Sequence, residues 1–144
     1  MSPELIAIAA DHAGYELKCA LKRRLIEDGF DVDDLGTDNT DSVDYPDFAG
    51  VLADAVAKGR SRRGVLLCGS GIGMSIAANR VPGVRAALVH DAETARLARR
   101  HNDANVLVLG AQLIEPDVAE DCLHAFLTTP FEGGRHQRRV NKLA

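Results

Sequence analysis

Residues 66–75, LLCGSGIGMS, carry an apolar run straight into a loop with glycine at every second position. The run 64–67 reads as a buried strand, and residues 75–79 can begin a helix. Gly69, Gly71 and Gly73 remove the side chains that would hold a ligand away from backbone N–H groups. A strand, a glycine loop and a helix in that order describe an anion cradle at a helix N-terminus, with a thiol beside it.

Strand and helix signals alternate on both sides of this stretch. Residues 5–10 are a short apolar run ended by Asp11-His12-Ala13-Gly14, and residues 15–28 space Leu17, Leu21 and Leu25 for a helix stopped by Gly29. Residues 30–35 give a weaker strand ending at Gly36, and residues 47–58 a helix closed by Gly59. Residues 84–89 read as a fourth strand. Residues 91–100 read as a helix with acids at its start and Arg96, Arg99 and Arg100 at its end, as the helix dipole prefers. Residues 106–109 form a fifth strand, residues 117–127 a helix entered through Pro116, and Gly133-Gly134 introduces a basic segment. Repeated strand–helix units with near-continuous apolar strands predict an α/β fold: a parallel sheet with helices on both faces. No repeat, linker or low-complexity segment divides the chain, so one domain over residues 1–144 is expected.

The chain's 144 residues suit one domain with a full core, and 46% hydrophobic and 26% charged residues are ordinary globular usage. No apolar run approaches membrane-spanning length. Met1-Ser2-Pro3-Glu4 lacks the basic start and apolar core of a signal peptide, so a cytoplasmic protein without a membrane partner is expected. Cys19, Cys68 and Cys122 are odd in number and widely spaced, which argues against a disulfide framework and a CxxC metal site. A net charge of −4 argues against general nucleic-acid binding. Charge distribution says more: Asp31, Asp33, Asp34, Asp38, Asp41, Asp44 and Asp47 crowd one stretch, whereas Arg135, Arg138, Arg139 and Lys142 share a segment without acids. That basic segment is either a solvated face or the answer to an anionic ligand.

Parallel α/β sheets place their sites at the carboxyl ends of strands. Three polar groups fall there: Asp11 and His12 after the first strand, residues 68–73 after the third, and Gly110 to Gln112 after the fifth. Such residues can be mere helix caps, but three on one edge favour a site. Cys19 and Cys122 read as small buried hydrophobes. Cys68 can be one too, or it can be a thiolate stabilised by oriented N–H groups, able to attack carbon or phosphorus or to remove a proton. His101 falls at a helix end, as a cap for the last carbonyls or as a general acid or base. His12 beside Asp11 can be a structural pair. If residues 135–140 are helical, Arg135 and Arg139 share a face and can grip a phosphate, while Arg138 points elsewhere. Tyr45 and Pro46 either line the cleft or form a turn before a helix.

Five segments then act jointly: ADHAGYELK (10–18), DYPDFA (44–49), CGSGIGMSIAANRVPGVRAA (68–87), HNDANVLVLG (101–110) and EGGRHQRRV (132–140). In order and across nearly the whole chain, they closely resemble the B-type ribose-5-phosphate isomerases, the family that also holds galactose-6-phosphate and allose-6-phosphate isomerases. The resemblance implies a three-layer α/β/α Rossmann-like sandwich with five parallel strands in the order 2-1-3-5-4. It also implies a homodimer, or a pair of such dimers, with active sites between subunits and residues 133–144 reaching the partner. The implied reaction interconverts an aldose and a ketose phosphate, foremost ribose 5-phosphate and ribulose 5-phosphate, without metal or cofactor.

By matched position, Cys68 falls on the base that moves a proton between C1 and C2, with Ser70 where many relatives carry threonine. Gly69, Gly71, Ile72 and Gly73 fall on the loop that holds the enediolate. His101 matches the residue that helps open the furanose, Asn102 a sugar-binding neighbour, Asp11 and His12 ligand-binding positions, and Arg135 and Arg139 phosphate ligands. Gln112 departs from the arginine that relatives commonly place on the ligand phosphate. Met74 stands where relatives lacking the cysteine put a glutamate. The chemistry is consistent with the loop: removing a proton beside a carbonyl builds charge on oxygen, and one prealigned donor there is typically worth ~10²–10³ in rate. Two other readings stay open: an allose or galactose 6-phosphate substrate, and a non-catalytic phosphosugar-binding module in which Cys68 only packs.

Overall fold

Five strands, β1 (Leu5–Ala10), β2 (Asp31–Asp34), β3 (Arg63–Cys68), β4 (Ala86–Leu88) and β5 (Val106–Gly110), pair in parallel in the order β2-β1-β3-β5-β4. The computed structural model describes residues 2–143; Met1 of the expected amino-terminal start and Ala144 of the expected basic segment lie outside the described residues. Among the described residues, six α-helices accompany the sheet: α1 (Tyr15–Glu27), α2 (Tyr45–Ala57), α3 (Ile72–Ala78), α4 (Ala92–Asn102), α5 (Pro116–Thr128) and α6 (Arg135–Asn141), with a single 3-10 turn at His12–Gly14. The expected sandwich and strand order are both observed.

Alternation along β1 shows how the layers are assigned. Ile6 and Ile8 join Val65, Leu67, Leu107 and Leu109 on one face, closed by Leu21 and Leu25 of α1, Ala95 of α4 and Phe126 of α5. Ala7 and Ala9 join Leu66, Cys68 and Val108 on the other, closed by Leu52 of α2 and Met74 of α3. The second face is made of small residues where α2 crosses it. A Cβ on Gly64 would stand 2.7 Å from Leu52 Cδ2, so glycine there admits a fully buried leucine worth ~1.5–3 kcal/mol.

Several boundaries differ from the sequence expectation, each for a local reason. α3 begins at Ile72, because Gly71 adopts φ +80 and reverses the chain directly behind β3. α2 begins at Tyr45, with Pro46 in the first turn, where its missing N–H leaves nothing unpaired. β4 is shorter than residues 84–89 because it is an edge strand bonded to β5 alone. The Asn79 side chain takes the place of a missing neighbour, accepting from Ala86 N at 2.8 Å and donating to Ala86 O at 2.9 Å. α4 continues past residue 100, so His101 lies in its last turn, which Asp103 ends in the left-handed conformation.

Part of the aspartate-rich stretch is internally neutralised. Lys18, 1% exposed, donates to Asp34 Oδ1 at 2.6 Å and to Thr37 O at 2.7 Å, and Lys22 reaches Asp34 Oδ2 at 3.1 Å. Burial alone would raise the Asp34 carboxyl, but Lys18, the Gly36 N–H and Lys22 outweigh it and hold the group below the usual range. Among the described residues, no helix is long and apolar enough to cross a membrane.

Candidate active site

The strand order reverses direction beside β1, so the carboxyl ends of β1 and β3 flank a crevice, the usual ligand position in an open α/β sheet. Asp11 leaves β1 there. Its N–H donates to Leu67 O, and its Oδ1 accepts from Ala13 N at 3.0 Å and Gly14 N at 3.1 Å. His12 follows, and its Nδ1 accepts from Val43 N at 3.1 Å, which assigns the proton of the neutral ring to Nε2. This bond also anchors the segment leading into Tyr45.

Cys68 ends β3 opposite Gly110 of β5 and is 5% exposed. The Gly71 N–H donates to Cys68 Sγ at 3.2 Å, and the Ser70 Oγ accepts from Ile72 N at 3.2 Å. The chain around the sulfur is crowded. A Cβ on Gly110 would lie 2.5 Å from Ser70 O, one on Gly69 2.9 Å from Gln112 Oε1, and one on Gly73 2.5 Å from the Tyr45 ring. Gln112 is tied to the loop a second time, its N–H donating to Gly69 O at 2.9 Å. Tyr45 is the first residue of α2 rather than part of a turn before it, and its ring packs over Gly73 of the loop. Together Asp11, His12, Cys68, Gly69, Ser70, Gly71, Ile72, Gly73 and Gln112 occupy one edge.

The remaining candidates lie on the opposite edge. α4 runs antiparallel to the strands, so its last turn returns to where β4 and β5 begin. The hydrogen bonds of the next residues mark that position: Arg85, just before β4, donates to Asp103 O at 2.9 Å and to Asn105 Oδ1 at 2.7 Å. Asn102 shares a cavity there with Arg85 and Ala86. The Glu132 N–H donates to Arg100 O at 3.1 Å, and α6 packs on α4 through buried His136 and Val140. Arg135 and Arg139 then project outward from α6, exposed and four residues apart, as expected. The five residues of β5 alone span ~16 Å, so one chain holds Cys68 and His101 too far apart for one pentose-sized molecule to touch both.

Two residues that sequence reasoning did not single out complete the second edge. The rings of His101 and His136 stack with centroids 4.4 Å apart and planes 12° from parallel. Glu132 Oε1 lies 3.5 Å from His136 Nε2 and 4.0 Å from His101 Nε2. Burial, then Arg135 and His101, hold the His136 imidazole below its ordinary value, while Glu132 pulls the other way. The i, i+4 spacing of Glu132 and His136 was readable; their convergence on His101 required the packing of α6 on α4. Among the described residues, these three side chains form the one group able to hold a metal ion.

The ribose/galactose isomerase family model matches residues 6–143. Ribose-5-phosphate isomerase B of Escherichia coli is 42% identical over 138 residues, spanning 96% of this chain and 93% of that protein. D-erythrulose-4-phosphate isomerase of Pectobacterium atrosepticum is 45% identical over 139 residues, spanning 96% and 91%. The crystal structure of a ribose 5-phosphate isomerase from Thermotoga maritima superposes with a TM-score of 0.95 at 50% identity, covering 97% of each chain.

Proposed function

The chain belongs to the ribose/galactose isomerase family and is a sugar-phosphate isomerase, and on that premise we propose that it interconverts ribose 5-phosphate and ribulose 5-phosphate with Cys68 as base. The observation that carries the reading is the Gly71 N–H directed at Cys68 Sγ inside a glycine loop at the switch point of the sheet. The open-chain aldose has its carbonyl at C1. The thiolate removes the proton on C2, the electron pair forms the C1–C2 double bond, and negative charge collects on O1. Loop N–H groups stabilise that charge. The thiol returns its proton to C1, and the O2 proton passes to O1, which leaves a hydroxyl on C1 and the carbonyl at C2. A binding module without chemistry gives way as a reading, because family membership carries the isomerase activity.

We further propose that the working unit is a homodimer whose sites each join the carboxyl edge of one chain to the amino edge of another. His101 of the partner subunit then donates to the ring oxygen during furanose opening, and Arg135 and Arg139 of the partner subunit hold the phosphate. Support comes from the ~16 Å strand length between the two half-sites of one chain, and from the exposure of both arginines on α6. This gives the basic segment 133–144 its reach to the partner without leaving its own α4.

Co-expression of Cys68→Ser with His101→Asn tests both proposals at once. In a two-fold dimer, each hybrid retains one intact site, so randomly mixed chains should recover about a quarter of wild-type turnover from ribose 5-phosphate. Activity no higher than the mean of the parents would defeat the shared-site reading. Gln112 favours one alternative, since it brings no charge to the phosphate; a turnover panel of ribose, allose, galactose and D-erythrulose phosphates decides the substrate. Fastest turnover of any phosphate other than ribose 5-phosphate overturns that assignment.

A further inference from the structure

His136 is placed unusually for an imidazole. Its side chain is 8% exposed, and its Nε2 is buried without a hydrogen-bond partner. A buried polar atom without a partner is unfavourable, and in the tautomer that leaves the Nε2 lone pair free an electrophile would satisfy it. Two further donors lie close by: His101, His136 and Glu132 each offer a ligand atom, and these atoms all lie within 4.8 Å of one another. Backbone bonds fix two of them, with the Glu132 N–H on Arg100 O at 3.1 Å and the His136 N–H on Gly133 O at 3.0 Å.

We propose that His101, Glu132 and His136 form a site for a borderline divalent transition-metal ion, Zn²⁺ in the first instance, whose binding switches the enzyme off. Two imidazole nitrogens and one carboxylate oxygen form a ligand set that suits Zn²⁺ and leaves coordination positions open to solvent. Mg²⁺ and Ca²⁺ prefer oxygen ligands and are not expected there. Zn–N bonds of ~2.0–2.1 Å require the two lone pairs to converge, so one stacked ring must tilt. His101 is the ring free to do so, with 42% of its side chain exposed against 8% for His136. Arg135 and Arg139 act on His136 and oppose a dication, which sets the expected affinity below that of a structural zinc site. Occupancy takes the His101 nitrogen. On the reading of His101 as the ring-opening group, turnover from furanose ribose 5-phosphate therefore suffers more than turnover from linear ribulose 5-phosphate.

Calorimetric titration of chelator-treated dimer with Zn²⁺ tests the site, and Cys68→Ser controls for binding at the thiol. One ion per chain is expected in wild type and in Cys68→Ser alike, with at least about 10-fold weaker binding in Glu132→Gln and in His136→Gln. Mg²⁺ should give no heat. Folding of each variant is checked by its thermal transition, and kinetics are compared as the ratio with and without Zn²⁺ within each variant. Binding that disappears in Cys68→Ser, or survives unchanged in both Glu132→Gln and His136→Gln, overturns the site. Binding at the site that slows both reaction directions equally upholds it and counts against His101 as the ring opener.

Discussion

At the carboxyl edge, the groups we assign to the enediolate are largely main-chain N–H groups fixed by β3, β5 and the glycine loop, whereas at the amino edge those we assign to ring opening and phosphate are side-chain tips on α4 and α6. The first edge is held by crowding: a Cβ on residue 71, 73 or 110 would run into the Tyr45 ring, Leu88 or neighbouring backbone. The second is held by a stacked pair of rings and by exposed guanidiniums that can move. Proton transfer needs donors that do not reorganise, which the backbone supplies. Phosphate capture, which we assign to α6, tolerates the flexible cations found there. The difference matches geometry to task.

The sharpest break of that comparison is Cys68→Ser. It should lower kcat ~10³-fold, within the range for general acid–base catalysis, with KM nearly unchanged; steady-state kinetics that show near-wild-type kcat would move the base elsewhere. His101→Asn comes next. Initial rates in the two directions should separate, with a loss of ~10²-fold from the furanose aldose and less than about 10-fold from the linear ketose. Equal losses would remove the ring-opening role.

Losing one arginine at the amino edge should leave kcat alone and act on binding. A hydrogen bond to a charged group is worth ~1.5–3 kcal/mol, so Arg139→Ala should raise KM by roughly 10–150-fold. An unchanged KM would take the phosphate off α6. The smallest effect is expected from adding charge at the carboxyl edge. Gln112→Arg should lower KM for ribose 5-phosphate by roughly 2–5-fold, the scale of a partly solvated ion pair. A raised KM would mean that Gln112 fits a different phosphate.

Much of this was legible in the sequence because it depends on local chemistry. Alternating apolar runs revealed the sheet, the glycine loop located the crevice, and motif order identified the family. What stayed hidden depends on direction and pairing. His101 reads as a neighbour of the site by motif, yet α4 carries it to the far edge, since a helix between parallel strands must run back. β4 reads longer than it is, because edge position limits its partners to β5. Counting aspartates cannot show that Asp34 is matched by Lys18 and Lys22, and the stack of His136 on His101 exists only once α6 meets α4.

Crowding at the glycine loop also bears on how such an enzyme can diverge. A methyl group added at residue 71 would lie 2.5 Å from Leu88 Cδ1 and 3.1 Å from the Leu109 carbonyl carbon, and residue 110 is as tightly enclosed. Single substitutions there meet a steric wall before they can reshape a pocket. On the proposed reading, new substrate preferences would therefore arise at the border, from Tyr45, Gln112 and the arginine-bearing tail, where side chains can change length or charge without disturbing the sheet. On that reading, proton transfer at Cys68 is confined to the part of the chain least free to vary, and selectivity to the part most free.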